Sequence, residues 1–348
     1  MRLVSWNCRG LGNPMKADAV KDLLKIEPSD ILMIQETKIE GKTLLDISKK
    51  KWKKSVGIAV SSRGSSGGLA TLWADDLFQL TNSHETQHWI FTELTHCTSK
   101  LTISLFNLYV PVLYSEKRAC WNTLNEFLDQ HSPSNIILAG DLNIVLKPKE
   151  KRGGIDSRDT MLPMVETLIQ QWNLLDFSPP KGLYTWSNNR VGAEHISARL
   201  DRYLVQDTLM MSKKIISTKI LPKLTSDHKP IQLILEDEED LGPIPFRFSP
   251  LWVEKDGFFD TVKAAWGKSF SGSSSYVWEQ KLKATKQALK SWIKNPDPNP
   301  NSQRKEIVQT LEALQTEMEN REVTPMLLND EVKTQCSTFR AFRMEEEY

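Results

Sequence analysis

Short acidic, amide and histidine motifs stand where apolar runs of this sequence begin or end. The ends of strands in a packed scaffold are where polar side chains converge on one rim. A rim that gathers carboxylates, an amide, a phenol and an imidazole could bind a divalent cation, activate water and hydrolyse a phosphoester. In chain order the motifs are Ser5-Trp6-Asn7, Gln35-Glu36-Thr37, Tyr109, Gly140-Asp141-Leu142-Asn143, Arg199-Leu200-Asp201-Arg202 and Ser226-Asp227-His228.

Glu36 and Asn7 are candidates for metal binding. Carboxylate oxygens suit Mg²⁺, which keeps several waters and takes few protein ligands. Glu36 ends a buried-looking strand, and the amide of Asn7 could hold either Glu36 or the metal. Taken singly, a glutamate in a turn is more typical of the surface, and an asparagine is more typical of a turn. The pair therefore indicates a site only together with the other motifs.

Asp141 and Asn143 are spaced by two residues, which in an extended segment puts both side chains on one face. One side chain could then take a proton from water while the other donates a hydrogen bond to a phosphate oxygen. The same tetrapeptide is about as typical of an Asx-turn at the end of a strand. Both interpretations stay open at the level of sequence.

Asp227-His228 is the most pointed pair, because His228 is one of only six histidines and Asp201 could orient its ring. An oriented imidazole can act as a base, or as an imidazolium beside a phosphate. Without the other motifs, a histidine near a turn more often has a structural role. Tyr109 and Trp186 are likewise typical core residues if taken singly, although a phenol can donate to a phosphate and a tryptophan can contact sugar and base.

Two basic stretches could contact a polyanion. Lys49–Lys54 contains a tryptophan and could grip backbone phosphates, although a solvated loop is as typical of such a run. Lys147–Arg152 lies closer to Asp141 in the sequence, so Lys151 and Arg152 are better placed to contact DNA.

Composition indicates a soluble globular protein with one large domain and an appendage. The 348 residues are 39% hydrophobic and 26% charged, with a net charge of +1. Residues 1–235 carry 30 Lys and Arg against 24 Asp and Glu, whereas the remainder carries 15 against 20. The mildly basic first part fits a polyanionic substrate, although only weakly.

The four cysteines are widely spaced and contain no CxxC pair, which argues against a disulfide framework or a zinc site. No apolar stretch approaches the roughly 20 residues that span a bilayer. We therefore expect a nuclear or cytoplasmic protein that is not secreted and has no membrane partner.

The elements that must position the motifs are predicted to lie before residue 238. Many short strands with a few interspersed helices predict two sheets packed face to face with helices outside. Helical spacing of apolar residues predicts helices at 15–26, 116–131 and 160–173. Predicted strands are 2–6, 30–35, 56–62, 69–73, 89–95, 101–109, 136–140, 199–205, 214–221 and 230–235.

The chain changes character after an acidic run at 236–240, which Leu-Gly-Pro-Ile-Pro follows. Adjacent acids repel one another, and glycine and proline break regular elements. We predict a first domain at 1–238, an acidic and proline-containing linker at 239–250 and a helical extension at 251–348. Amphipathic helices are predicted at 278–294 and 307–318, with apolar faces that need a partner.

In their joint order, the motifs resemble the endonuclease/exonuclease/phosphatase superfamily over about residues 1–236. They look most similar to the endonuclease domain of plant non-LTR (LINE-type) retrotransposons, a resemblance to which Ser65–Leu72, Lys151–Gly154 and Phe246-Arg247-Phe248 contribute. The resemblance implies an α/β fold, a four-layer sandwich of two mainly antiparallel sheets flanked by helices, followed here by the helical extension. It also implies one metal site at the sheet rim, for Mg²⁺ with Mn²⁺ as the alternative.

The resemblance implies that Glu36 ligates the metal, helped by Asn7 and by Asp227, which also belongs to the catalytic set. Relatives that act on apurinic sites often carry an acid where this chain has Arg9. The turn after Asn7 is therefore not expected to add a metal ligand, and a repair enzyme is disfavoured.

The resemblance also implies catalytic roles. Asp141 would activate or position water, and Asn143 would donate to the phosphate. Tyr109 would stabilise the transition state. His228 would contact the scissile phosphate, oriented by Asp201.

The activity implied is nicking of target DNA to leave a 3′-hydroxyl that primes reverse transcription. Partners would be DNA, contacted by Trp186, Lys151 and Arg152, and a missing reverse transcriptase domain or element RNA. No polymerase motif follows before Tyr348, so a truncated copy is expected. Two alternatives stay open: a phosphatase of a small phosphorylated molecule or lipid in the same superfamily, and an inactive retrotransposon remnant.

Overall fold

The computed structural model describes residues 1–52, 54–64, 66–155, 158–212, 215–236, 248, 252–253, 256–294 and 300–343. The predicted linker at 239–250, apart from Phe248, lies outside the described residues. So do Lys53 of the first basic stretch, Ser65 and the first two residues of the Phe246-Arg247-Phe248 motif.

The chain divides into two compact units. The first comprises Met1–Glu238 and Ile307–Tyr348, and the second comprises Glu239–Glu306. This division differs from the predicted one, which joined residues 251–348 into a single extension. The last helices therefore group with the part of the chain that carries the motifs.

Short strands alternate with helices along the first unit, and helices alone form the regular elements of the described part of the second. The strands are β1 (Arg2–Asn7), β2 (Ile31–Gln35), β3 (Ser55–Val60), β4 (Leu69–Ala74), β5 (Phe78–Glu85), β6 (Trp89–His96), β7 (Thr102–Tyr109), β8 (Ile136–Asp141), β9 (Lys151–Arg152), β10 (Leu174–Asp176), β11 (Trp186–Ser187), β12 (Ser197–Ala198), β13 (Asp201–Gln206), β14 (Ile215–Ile220) and β15 (Ile231–Glu236). The helices are α1 (Pro14–Ile26), α2 (Gly41–Lys51), α3 (Tyr114–His131), α4 (Leu162–Gln171), α5 (Asp207–Ser212), α6 (Phe258–Trp266), α7 (Ser274–Lys294), α8 (Pro300–Asn320) and α9 (Pro325–Arg343).

The strands of the described first unit form two six-stranded sheets, in the orders β14-β15-β1-β2-β4-β3 and β10-β13-β8-β7-β6-β5. Strands β1 and β2 run parallel, as do β7 and β8, and the other neighbours in these sheets are antiparallel. The parallel pairs bring two strand ends to the same edge in each sheet. A third, three-stranded sheet has the order β11-β12-β9.

Side chains alternate between the two faces of each strand and so build three apolar clusters. Leu3 of β1 and Ile137 of β8 meet in the cluster between the sheets. On the outer face of the first sheet, Val4 packs with residues of α1, α2 and α8. On the outer face of the second sheet, Phe106 packs with residues of α3 and α4. The predicted four-layer α/β sandwich is confirmed.

Several elements were not predicted from the sequence. Strand β5 lies at a sheet edge with only Phe78 buried, so no alternating apolar pattern marks it. Helix α2 contains Lys49–Lys51, so the first basic stretch is in part helical rather than a loop. Helix α9 and the two- or three-residue strands were also missed. In the part of the chain that the structure describes, no helix combines the length and hydropathy needed to cross a membrane.

Candidate active site

The strand pairings bring five of the predicted motifs to one rim. Asn7 ends β1 and pairs in register with Gln35 at the end of the parallel strand β2. Tyr109 ends β7 and pairs with Asp141 at the end of the parallel strand β8. Antiparallel pairing of β13 with β8 then places Asp201 opposite Asp141. Because the two sheets face each other, these ends form a common edge.

Asp141, Asp201 and His228 form the buried centre of this edge. Nδ1 of His228 lies 2.9 Å from Oδ2 of Asp201, and Nε2 lies 3.7 Å from Oδ2 of Asp141. Nδ2 of Asn7 donates to the same oxygen of Asp141 at 2.9 Å. The three side chains of the centre are at most 3% exposed. The structure therefore brings the predicted histidine and its orienting acid together with Asp141.

Burial and mutual charge shift the pKa values in this centre. Burial raises the pKa of Asp141, and the carboxylate of Asp201 raises it further against the opposing charge of His228. Burial alone would lower the pKa of His228, but the carboxylates of Asp201 and Asp141 outweigh it and raise this pKa from 6.5 to about 9. The imidazole is then protonated at neutral pH and can donate to an anion.

Asn143 reaches Asp141 through an Asx-turn, not through an extended segment. Its φ is 47°, and its backbone N–H donates to Oδ1 of Asp141 at 3.0 Å. Its Nδ2 donates to the carbonyl of Val110 at 2.7 Å and contacts Oδ2 of Asp141 at 3.3 Å. The two side chains are neighbours, and the amide of Asn143 fixes the carboxylate beside it.

Lys117 of α3 supports this turn and was missed by the sequence analysis. Its buried ammonium donates to the carbonyl of Asn143 at 2.8 Å and to Oδ2 of Asp159 at 2.6 Å. In the sequence it reads as an ordinary helical lysine. The signal that could have found it is its spacing of three residues before Cys120 and four before Trp121, on the face that packs against the sheet.

Glu36 lies on the other side of Asn7 and has several polar partners. Its Oε1 accepts from the hydroxyl of Tyr109 at 2.7 Å and contacts Nδ2 of Asn7 at 3.4 Å. Arg9 and Lys38 form ion pairs with the carboxylate at 3.6 and 3.1 Å. Burial raises the pKa of Glu36, but the hydrogen bond from Tyr109 and these two charges outweigh it, so the net shift is downward. Glu36 is therefore ionised at neutral pH.

Arg9 also pairs with Asp227, through Nε and Oδ1 at 3.1 Å. Its guanidinium thus joins the two carboxylates that were predicted to share a metal ion. The other oxygen of Asp227 accepts from Nε1 of Trp186 at 3.0 Å. Trp186 in turn bridges to His228 through the backbone, with ring centroids 6.5 Å apart.

The residues fit a divalent cation of the Mg²⁺ class. Carboxylate and amide oxygens are the donors such a cation prefers, and Glu36, Asp227 and Asn7 offer them around the positive charge of Arg9. Asp141, Asp201 and His228 form a second group of potential metal ligands, whose ligand atoms lie within 4.8 Å of one another. Sequence reasoning placed the metal in the first group only.

The three residues predicted to contact DNA all lie in strands of the small three-stranded sheet. Trp186 and Lys151 both pair with Ala198, from opposite sides. Nζ of Lys151 donates to the carbonyl of Ile155 at 2.5 Å. Arg152 instead donates to the carbonyl of Glu319 in α8 at 2.9 Å, a contact that nothing in the sequence predicts.

A buried network of charges holds the strand that carries Asp201. The guanidinium of Arg202 pairs with Glu150 at 2.5 Å and with Asp176 at 2.9 Å. Arg199 pairs with the same two acids at 3.1 and 2.6 Å. The two arginines of the Arg-Leu-Asp-Arg motif therefore fix the start of β13, where Asp201 stands.

Comparisons with known proteins find one family match and several similar folds. Residues 4–205 match the Endonuclease/Exonuclease/phosphatase family. The chain is 24% identical over 266 residues to an exodeoxyribonuclease of Bacillus subtilis (strain 168), covering 68% of this chain and 99% of that protein. Its fold is similar to that of AP endonuclease LMAP from Leishmania major, with a TM-score of 0.55 and 17% identity over 67% of this chain and 86% of that chain. It is also similar to the endonuclease domain of TRAS1, a telomere-specific non-LTR retrotransposon, with a TM-score of 0.52 and 13% identity over 68% of this chain and 99% of that chain.

Proposed function

The chain belongs to the Endonuclease/Exonuclease/phosphatase family of hydrolases, and from this premise we propose that it is a Mg²⁺-dependent DNA endonuclease. The observation that carries the proposal is the buried centre in which His228 lies between Asp201 and Asp141. Support for DNA as substrate comes from the Bacillus subtilis relative that is named an exodeoxyribonuclease. The alignment covers 99% of that relative and 68% of this chain.

The centre supplies both a base and a cationic donor. Asp141 takes a proton from the attacking water, a task that its raised pKa favours. His228, held in orientation by Asp201, donates from its imidazolium to a non-bridging oxygen of the scissile phosphate. Asn143 keeps the carboxylate of Asp141 in place. Because these donors are positioned before the substrate binds, little reorganisation is needed in the transition state.

When bound, Mg²⁺, or Mn²⁺ in its place, supplies positive charge for the phosphate oxygens. We expect Glu36 to hold it, with Asn7 and Asp227. Tyr109 donates to Glu36 at 2.7 Å and so fixes that carboxylate at the rim. We propose that Tyr109 also stabilises the transition state by contacting the phosphate, because its hydroxyl lies at the same edge.

The finer proposal is that the nick serves retrotransposition. Hydrolysis of the bond between the phosphorus and O3′ would leave a 3′-hydroxyl able to prime reverse transcription. The ordered motifs that resemble plant LINE-type endonucleases support this role. Partners would be DNA in the nucleus or cytoplasm, and a reverse transcriptase domain or element RNA. Trp186 and Lys151 are the side chains proposed to contact DNA beside the scissile bond.

The test is nicking of supercoiled plasmid with Mg²⁺ by the wild-type protein, Asp141→Ala and His228→Ala. We expect nicked circles from the wild type, a loss of roughly a hundredfold or more in either variant, and none with excess chelator. Asp46→Ala, an exposed acid on α2, is the matched control and should nick like the wild type. Inositol phosphates are offered in parallel. Release of phosphate from them, with plasmid left intact, would replace the nuclease with the phosphatase of the same family.

A further inference from the structure

Helix α8 lies along the loops that complete the active site. Leu311, Gln315 and Glu319 are spaced by four residues and so share one face of the helix. Leu311 is fully buried in the cluster that contains Trp6 and Leu224. The face that begins with Leu311 is therefore turned toward the sheet that ends at the rim.

The side chain of Gln315 holds the loop between β14 and β15 through backbone atoms of that loop. Its Oε1 accepts from the N–H of Lys223 at 2.9 Å, and its Nε2 donates to the carbonyl of the same residue at 3.1 Å. The ammonium of Lys223 forms a buried ion pair with Glu331 of α9 at 2.9 Å. A buried backbone donor that loses its hydrogen-bond partner is destabilising, so this loop depends on Gln315. Four residues later the loop reaches Asp227.

Glu319 joins that loop to a second one. Its Oε1 pairs with Nζ of Lys229, the residue directly after the active-site histidine, at 2.6 Å. Its Oε2 accepts from the N–H of Leu183 at 2.9 Å. Two residues further on, the hydroxyl of Thr185 accepts from the N–H of Asp201 at 3.0 Å. One carboxylate on α8 thus contacts both chain segments that flank His228.

The end of α8 is fixed to the small sheet. Arg152 of β9 donates to the carbonyls of Met318 and Glu319 at 3.4 and 2.9 Å, where the helix dipole favours a cation. The carbonyl of Val323, in the turn to α9, accepts from the N–H of Gly192 at 2.9 Å. The family match ends at residue 205, so all these helix residues lie outside it.

From these contacts we propose that α8 positions the loops of the active site, with Gln315 and Glu319 as the positioning residues. They hold the loop of Asp227 and His228 against the loop of Trp186, so that His228 faces Asp141 and Asp201. The proposal rests on the hydrolase centre described above. It gives helix residues beyond the matched residues 4–205 an indirect part in the reaction, through the loops that they hold.

The first test compares Glu319→Gln with Glu317→Gln in the full-length protein. Glu317 is two residues away on the same helix, and its ion pair with Arg321 is exposed. We expect Glu319→Gln to lower kcat for plasmid nicking roughly tenfold or more, with a smaller change in KM, because the reacting groups are misplaced while no side chain proposed to contact DNA is removed. Glu317→Gln should match the wild type in both constants.

The second test measures the position of His228 without any substrate. The Cε1–H resonance of His228, one of six histidine signals, should shift in Glu319→Gln and in Gln315→Leu, and stay in place in Glu317→Gln. Both variants are checked for a cooperative thermal transition. If Glu319→Gln does not fold, Gln315→Leu, which keeps the side-chain volume, carries the test. Folded variants with an unchanged resonance and wild-type kcat would overturn the proposal that α8 positions these loops. If the wild type itself nicks no plasmid, the proposed nuclease fails, and the resonance still decides on α8.

Discussion

At the residue scale, the charge of His228 follows from its two neighbouring carboxylates. In protein kept free of metal by chelation, we predict that His228 titrates well above 6.5, near 9. A pKa raised in the folded state stabilises the fold fully below 6.5, and that stabilisation is lost as the pH rises through about 9. Asp201→Asn removes the nearer charge and should bring the pKa of His228 down.

Histidine resonances followed by NMR against pH test this prediction. His88 is an internal comparison, because burial lowers its pKa and it should titrate on the acidic side of 6.5. A titration of His228 at or below 6.5 in the wild type would show that burial, not the carboxylates, dominates at the centre.

A second prediction concerns Arg9, whose guanidinium contacts both Glu36 and Asp227. A divalent cation placed among these acids must compete with that charge. Arg9→Gln should therefore bind Mn²⁺ several-fold more tightly, since unit charges a few ångströms apart interact by roughly 1–4 kcal/mol near a surface. Calorimetric titration measures the affinity. Arg2→Gln, at the opposite end of β1, is the control and should leave it unchanged. Equal or weaker binding by Arg9→Gln would mean that Arg9 does not compete with the metal.

At the element scale, the start of β13 depends on the buried charges of Arg199 and Arg202. Glu150→Gln leaves part of this network without its counter-charge. We predict a loss of about 3–5 kcal/mol in the free energy of unfolding, because an uncompensated buried charge is costly. Glu194→Gln removes an exposed acid paired with Arg190 and should cost less than about 1 kcal/mol. Urea denaturation followed by circular dichroism compares them, and similar losses would contradict a structural role for the network.

Lys117 supports the turn that carries Asn143, and its removal tests an element that was invisible in the sequence. Lys117→Met keeps the length of the side chain but removes both hydrogen bonds of the ammonium. We expect kcat for nicking to fall roughly tenfold with little change in KM, because Asp141 loses its fixed orientation. Lys100→Met changes an exposed lysine two residues before β7 begins and should behave like the wild type. A wild-type kcat for Lys117→Met would remove this residue from the site.

Sequence reasoning works best for elements whose pattern is set by their own burial. The interior strands β2 and β8 are wholly buried and read as continuous apolar runs. The edge strand β5 buries only Phe78, so its pattern looks like a polar loop. The turn at Asn143 could not be chosen over an extended segment, because both conformations put the same residue types in the same order.

At the scale of the whole molecule, the two sheets are what turn weak motifs into one site. Asn7 and Asp141 are far apart in the sequence, yet Nδ2 of one donates to a carboxylate oxygen of the other at 2.9 Å. The order of motifs predicted that they converge on one rim but not this contact, and the partner of the C-terminal helices could not be predicted. An amphipathic pattern shows that a face needs a partner and does not say which. In the structure, Leu311 of α8 packs against the first sheet.

The chemistry of the nick tests the nuclease proposal most directly. Plasmid nicked by the wild type with Mg²⁺ is given to a DNA polymerase, without any prior treatment of the ends, and incorporation of labelled nucleotides is measured. We predict incorporation that depends on the nuclease. It should be lost when chelator is present during the nicking step, and it should be lost in Asp141→Ala and His228→Ala. Intact plasmid, or nicks that the polymerase extends only after a 3′-phosphatase has acted, would contradict hydrolysis to a 3′-hydroxyl at this site.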